Sequence, residues 1–256
     1  MIDFVKFVTE MNRAECAEDA FNYLEKTLSD LGFDRVVYSL ITDHPSMQLK
    51  RGHGILRNYP DDWMKYYFAK NYFEVDPVIK VIKQTSGPFL WEKLPELKNG
   101  LRKDENVLME EAREAKLLDG IGISLHGARG EIVGMGIASS SGRTDILNPD
   151  MISIVYALCS QFHIVYRKMK EKLLPIIHLS QREQEVLTWI AAGKSKSVVA
   201  DILQISDDSV KTYVNRIFSK LEVNSIQLAV VKAIAMGLIT PDLCHKNSSY
   251  LETSPN

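Results

Sequence analysis

The stretch NYPDDWMKYYFAKNYFEVDPV, residues 58–78, is crowded with aromatics and yet carries a carboxylate at Asp76. An ionised carboxylate only accepts hydrogen bonds, an indole N–H only donates, and a phenol does either. A carboxylate among Tyr59, Trp63 and Tyr67, in what looks like the wall of a hydrophobic core, raises the question of what Asp76 is there to pair with. The residues suggest a plain answer. Asp before Pro is how many helices start, with Asp as the cap and Pro at the first position. Trp and Tyr four residues apart on a helix more often mean core than a ligand box. From the residues alone the cap is the stronger reading of Asp76.

A second set lies in SDDSVKTYVNRIFSKL, residues 206–221. Val210, Val214, Ile217 and Leu221 recur at helical spacing and point to a buried stripe. The opposite face carries Lys211, Thr212, Asn215, Arg216, Ser219 and Lys220. Cations there suit phosphates, and amide, hydroxyl and guanidinium groups suit base edges. The alternative is a solvated polar face, which is what most charged helix faces are. Residues 176–240 hold about seven Lys and Arg against six Asp and Glu, so charge alone does not favour DNA.

Catalytic and metal chemistry find little support. The six histidines show no metal-ligand spacing, and no G-x-S-x-G is present. Cys16, Cys159 and Cys244 are odd in number and far apart, which suits neither a disulfide framework nor a zinc site. No catalytic residue, metal site or cofactor is expected.

The elements that must carry these residues follow from periodicity and punctuation. Residues 3–33 read as helix, with Gly32 as the stop. RVVYSLI (35–41) reads as a strand and RGHGILRN (51–58) as a weaker one. Pro60 opens a helix at its first position, residues 76–84 form a short one, and 104–118 a strongly amphipathic one. IGISLHGARGEIVGMGIAS reads as two apolar strands around a Gly-containing turn. Asn148-Pro149-Asp150 begins a long helix that ends in RKMKEK before Pro175. From Ile176 the strand signals stop. Short helices follow, punctuated by Gly193, Ser206, Asn224 and Gly237, the first opened by the Ser180/Glu183 capping box. The tail from Pro241 is polar and is expected to be disordered. The fold class is α+β: an N-terminal α-β-α sandwich on an antiparallel sheet over 1–174, then an all-α four-helix helix-turn-helix domain over 176–240 and a tail over 241–256.

At 256 residues, 45% apolar and 25% charged, the composition is that of a globular protein with room for two domains. A net charge of −2 means that any nucleic-acid contact must come from a local patch. No apolar run approaches the ~20 residues that span a bilayer, and the first residues are not a signal peptide. A reduced, cytoplasmic protein without membrane contact is expected.

Family resemblance sharpens both sites. REQEVL, the Gly193-Lys194-Ser195 turn, VVADILQIS, SVKTYV and IFSKLEV closely resemble the LuxR-type (GerE-like) helix-turn-helix over about 60 residues. The resemblance implies that the 206–221 helix enters the major groove. It implies DNA contacts from Lys194, Lys196, Lys211, Thr212, Asn215, Arg216 and Lys220, with a fourth helix, 225–236, assisting dimer contacts. Ile226 departs from the Arg of many relatives, and Tyr213 from a common His. Upstream, no acidic pair follows the first strand and no apolar strand ends in Asp, which disfavours a phosphorylated receiver domain.

Tyr59, Trp63, Tyr67, Asp76, Pro77 and Trp91, with HGARGE at 126–131, instead resemble the ligand-binding domain of LuxR quorum-sensing receptors, which sense N-acyl-homoserine lactones. That resemblance implies that Asp76 accepts the ligand's amide N–H, Trp63 donates to the lactone carbonyl and Tyr59 donates to the amide carbonyl. Tyr67 and Trp91 would be apolar wall, and Val37, Val78 and Ile132 would line the acyl chain. Gly136 stands where several relatives carry Ser or Thr, so a donor is missing there and a roomy pocket is expected. The implied partners are the lactone, inverted-repeat double-stranded DNA and a second copy of the chain, whose contact would use the stripe Ile152, Val155, Tyr156 and Cys159. RNA polymerase is a further partner the resemblance leaves open. The alternative is a receptor of the same fold for a different small-molecule signal.

Overall fold

The structure, a computed structural model, describes residues 2–42, 51–127, 131–142, 147–171 and 177–240. The chain divides into two compact units, Met1–Leu174 and Pro175–Asn256. The first holds a five-stranded sheet of β1 (Arg35–Leu40), β2 (Gly52–Arg57), β3 (Gly87–Leu90), β4 (Leu118–His126) and β5 (Ile132–Ser139). Its strand order is β2-β1-β5-β4-β3, antiparallel throughout.

Side chains alternate across a strand, so each face of this sheet has its own composition. Val36, Tyr38 and Leu40 of β1, Ile121 and Ile123 of β4, and Val133 of β5 pack on one face with α1 (Phe4–Arg13), α2 (Ala17–Ser29) and the long α7 (Pro149–Glu171). The opposite face carries small residues. Gly122 pairs with Gly136 across β4 and β5, and Ser124 pairs with Gly134. Over that face lie α3 (Asp61–Ala69), α4 (Pro77–Ile82) and α6 (Lys103–Glu114), with the short α5 (Leu94–Leu97) beside them. The result is a three-layer α-β-α sandwich.

Three details differ from the sequence reading. The helix expected over 3–33 is two helices, because the Cys16 thiol caps a fresh start by accepting from the Asp19 N–H at 3.4 Å. Pro60 is the residue before α3 rather than its first turn. The edge strand β3 and α5 were not foreseen. β3 exists through its pairing with β4, Gly87 to Ser124 and Leu90 to Ile121, which a four-residue segment containing Pro does not announce.

HGARGE acquires a structural meaning. A Cβ on Gly127 would collide with the Glu131 carboxylate, so only glycine lets that group fold inward. Glu131 is fully buried and meets Arg167 of α7 at 2.8 Å, tying the β4–β5 hairpin to the long helix. The turn residues 128–130, Pro175 and the 241–256 tail lie outside the described residues.

The second unit is helical: α8 (Gln181–Ala191), α9 (Lys196–Leu203), α10 (Asp207–Leu221) and α11 (Ile226–Ala235). Ser180 and Glu183 form the capping box of α8, and Gly193 follows its end at φ 81°. Val186, Leu187, Val199, Val210, Val214 and Ile217 make the core. α9 and α10 are joined by three residues, with Gln204 left-handed at φ 53° and Ser206 capping α10.

Candidate functional site

Asp76 is the pivot of a cavity between the small-residue face of the sheet and the α3–α4–α6 layer. It is only 6% exposed. Its Oδ1 accepts from the Val78 N–H at 2.8 Å and the Ile79 N–H at 3.4 Å, so it does cap α4, with Pro77 at the first helical position. Its Oδ2 accepts the Tyr67 hydroxyl at 2.7 Å and keeps lone-pair capacity. Burial raises the Asp76 pKa, against the pull of the Tyr67 hydroxyl and the two amides.

Two buried donors here have no hydrogen-bond partner among the described residues, the Tyr59 hydroxyl and the Trp91 indole N–H. Leaving such a group unpaired costs about 1–3 kcal/mol. Burial, with Asp76 adding, drives the Tyr59 pKa far above its ordinary value, so the phenol keeps its proton. Glycine makes this arrangement possible: a Cβ on Gly136 would stand 2.6 Å from the Tyr59 oxygen and 2.9 Å from Val37. The Trp91 ring sits so close over Gly120 that a Cβ there would enter it.

The cavity wall takes in Val37, Tyr59, Trp63, Tyr67, Asp76, Val78, Trp91 and Gly136. Ile132 is the expected wall residue that lies outside it. It pairs with His126 at the start of β5 and packs at the edge of the Ile41–Val78 cluster. Sequence reading passed over Ser39 and His53, and the apolar residues Ile82, Leu108, Met109 and Leu117, all of which reach the wall. The apolar ones lie in the segments 76–84 and 104–118 read as helices, and nothing in the sequence divides core from cavity wall. About 40 Å³ of free space remains at the centre.

A buried carboxylate holds the covering layer together. Glu105 of α6 is fully buried and binds Lys80 of α4 at 2.9 Å, with Lys98 also on it. Its second oxygen accepts the Arg102 N–H at 2.9 Å. Burial pushes its pKa up, but the hydrogen bonds from Lys98, Arg102 and Lys80 prevail and hold it at about 2.

In the second unit Lys194, Lys196, Lys211, Thr212, Asn215 and Arg216 are exposed. Lys211 meets Asp208 at 2.9 Å, the Thr212 hydroxyl donates back to the Asp208 carbonyl at 2.8 Å, and Arg216 lies over the Tyr213 ring. Lys220 has another occupation. It is drawn to the buried Glu183 at 2.7 Å, because a carboxylate taken out of water needs a counter-charge. It is therefore not a free DNA-facing cation. The α7 stripe is divided: Val155 and Cys159 are fully buried in the domain's own core, while Ile152 and Tyr156 are partly buried against it.

A cavity with a carboxylate and unpaired donors in one unit, and two short helices joined by a tight turn in the other, define a ligand-regulated transcription factor. The chain belongs to the LuxR family: residues 17–164 match the family described as autoinducer binding domain, and residues 178–233 that described as bacterial regulatory proteins, luxR family. It is 29% identical over 239 residues to the transcriptional activator SolR of Ralstonia nicotianae (strain ATCC BAA-1114 / GMI1000), covering 88% of this chain and 94% of that one. It is 28% identical over 247 residues to VanR of Vibrio anguillarum, covering 95% of this chain and 100% of that one. The crystal structure of Escherichia coli SdiA has the same fold, with a TM-score of 0.74 at 24% identity over 92% of this chain and 99% of that chain. Among the described residues no helix is long and apolar enough to cross a membrane.

Proposed function

We propose that the N-terminal domain binds an N-acyl-homoserine lactone and that the C-terminal domains of a homodimer bind inverted-repeat DNA in the cytoplasm. The observation that carries the ligand reading is Asp76, a buried acceptor with a spare lone pair, beside the unpartnered Tyr59 hydroxyl and Trp91 N–H. In this reading Asp76 accepts the ligand's amide N–H, Tyr59 donates to the amide carbonyl and Trp63 to the lactone carbonyl. Trp91 supports it with a donor of its own.

The 40 Å³ of free space is well below the ~300 Å³ at which ligand pockets usually begin. Binding therefore parts the α3–α4–α6 layer from the sheet, and the acyl chain becomes part of the core. A ligand that binds only the folded state stabilises it by about 4 kcal/mol at a thousandfold excess over Kd. Folding and signal are coupled in this way.

Val155 and Cys159 of the α7 stripe are taken up by the domain's own core, which leaves the partly buried Ile152 and Tyr156 as its share of a dimer contact. α11 exposes Leu228, Val231 and Ile234 on one side, which favours it for contact between DNA-binding domains. Half-site centres lie about 10–10.5 bp apart or a multiple of that. RNA polymerase is the downstream partner if the bound dimer activates. The chain needs neither catalytic activity nor a cofactor for this role.

Ligand capture tests the proposal. The chain is expressed with a mixture of acyl-homoserine lactones, purified and denatured, and the extract is identified by mass spectrometry. One lactone retained in near-stoichiometric amount is the expected result. Folded protein that retains none overturns it and turns attention to another signal, such as an acyl glycerol, since a structure of the similar SdiA holds octanoyl-rac-glycerol.

A further inference from the structure

α6 has little apolar surface of its own to rest on. Of its twelve residues only Glu105, Leu108 and Ala112 are buried, with Met109 partly so. Leu108, Met109 and Ala112 all face the cavity. The apolar side of α6 is thus the cavity's roof, and the helix is tied to its neighbours by two carboxylates, Glu105 in its first turn and Glu111 near its end.

The two ties differ in kind. Glu105 is fully buried on Lys80 and Lys98. Pulling it away would strand a charge out of water, a strongly destabilising loss. Glu111 is only half-buried. Its Oε1 accepts the Tyr66 hydroxyl at 3.0 Å and its Oε2 accepts the Tyr72 hydroxyl at 2.5 Å. Burial, with the bond to Glu111 adding, raises the Tyr72 pKa, so the phenol keeps its proton and remains the donor. When this tie opens, water can take over the hydrogen bonds of the carboxylate. The Glu111 end therefore yields before the Glu105 end.

The seat that receives Glu111 is firm. Tyr66 lies on α3 beside the wall residues Trp63 and Tyr67, and Tyr72 follows α3 closely. The Tyr66 and Tyr72 rings meet edge-on with centroids 6.1 Å apart, and Tyr72 packs edge-on against Tyr67 at 5.8 Å. Tyr67 is bonded to Asp76 at the head of α4, so α3 and α4 act as one plate. α6 is the covering helix that can lift at one end without breaking a fully buried polar contact.

We infer that α6 is the gate through which ligand enters and leaves the cavity, hinged at Glu105 and latched where Glu111 meets Tyr66 and Tyr72. This rests on the lactone reading of the cavity and adds to it the route and the contact that sets the rate. The latch joins members of one layer, so it closes over a bound ligand as it does over the empty cavity. Such a latch slows entry and exit alike and leaves Kd as it is.

The test times the exchange of radiolabelled N-octanoyl-homoserine lactone on the full chain. Loaded protein is chased with unlabelled lactone to give the release rate, and equilibrium titration gives Kd. Tyr66→Phe and Tyr72→Phe each remove one hydroxyl and keep the ring. The double variant should release lactone at least about tenfold faster, the low end for hydrogen bonds to a charged group, and keep Kd within about twofold of wild type. Glu111→Gln, which keeps one accepting oxygen, should fall between the two. Glu110→Gln, on the exposed side of α6, should release at the wild-type rate. Release no faster in the double variant overturns the inference and leaves the lactone reading standing. A faster release matched by an equal loss of affinity also overturns it, because it marks a support for the wall rather than a gate. Equal acceleration by Glu110→Gln does the same. If wild type holds no lactone, the lactone reading fails and the gate falls with it.

Discussion

Asp76→Asn separates the two duties that the carboxylate performs. Asn keeps one oxygen, which still accepts the Val78 N–H now held at 2.8 Å, so the cap on α4 survives. The other oxygen becomes an NH₂, which turns the acceptor facing the cavity into a donor. Tyr67, now donating at 2.7 Å, can rotate its hydroxyl to accept instead. Stability without ligand should therefore stay within about 1 kcal/mol of wild type. The pH dependence has a definite sign. Burial raises the Asp76 pKa above 3.8, so wild type is destabilised as pH rises through the folded-state value and the group ionises in place. Asn carries no such penalty, so the variant gains on wild type as the pH is raised through that range.

Ligand binding should respond very differently. A hydrogen bond to a charged group is worth about 1.5–3 kcal/mol, or roughly 10-fold to 150-fold in Kd, and two donors face to face add to the loss. Thermal unfolding with and without lactone, at several pH values, reads both quantities from one sample. Unchanged melting without ligand together with a dose response shifted at least tenfold is the expected pair. A variant that answers lactone at the wild-type dose would refute the reasoning and leave Asp76 as a helix cap alone.

Glu105→Gln should cost about 2–3 kcal/mol at pH 7, from a carboxyl held at about 2 against 4.5 unfolded and discounted for its partly exposed lysines. The stability it supplies is complete above pH 4.5 and fades as pH falls towards 2, so the melting curves of variant and wild type should converge in that window. Gly136→Val puts atoms where the Tyr59 hydroxyl and Val37 already stand, and lactone affinity should fall at least about tenfold in a titration. Arg216→Ala on the exposed face of α10 should cost about 1–3 kcal/mol of specific DNA binding in a gel-shift assay and relax selectivity. Lys220→Ala should instead lower the melting temperature of the DNA-binding unit, because it strips Glu183 of its cation.

Local signals carried much of the fold. Ser180 and Glu183 announce α8, Asp76-Pro77 announces α4, and the apolar runs on either side of 127–131 announce β4 and β5. What escaped was non-local or chemically unusual. A thiol cap at Cys16 does not look like a Ser or Asp cap, and the apolar stripe runs on across it. β3 is defined by its neighbour. Ser39 and His53 are fourteen residues apart and meet only because a bulge between β1 and β2 turns one of them inward. Lys220 and Glu183 are thirty-seven apart, and each was legible alone, as a polar helix face and as a capping residue, but not as a pair. For the site, the family resemblance rather than residue types singled out Asp76 and Tyr59 as ligand residues, whereas the Trp91 N–H, without a partner among the described residues, depends on burial that no spacing reveals.

The sheet face beneath the cavity is built from Gly134 and Gly136, with Ser39 beside them. Its shape is set by main chain, which cannot choose another rotamer to make way. A methyl added at Gly136 would press on the Tyr59 hydroxyl and Val37, and one at Gly134 on Ile82 and Ile41, so each would push a wall residue into the cavity. The strands beneath the cavity thus make its shape sensitive to single small substitutions, each of which would reshape the wall while leaving the Asp76 carboxylate where it is.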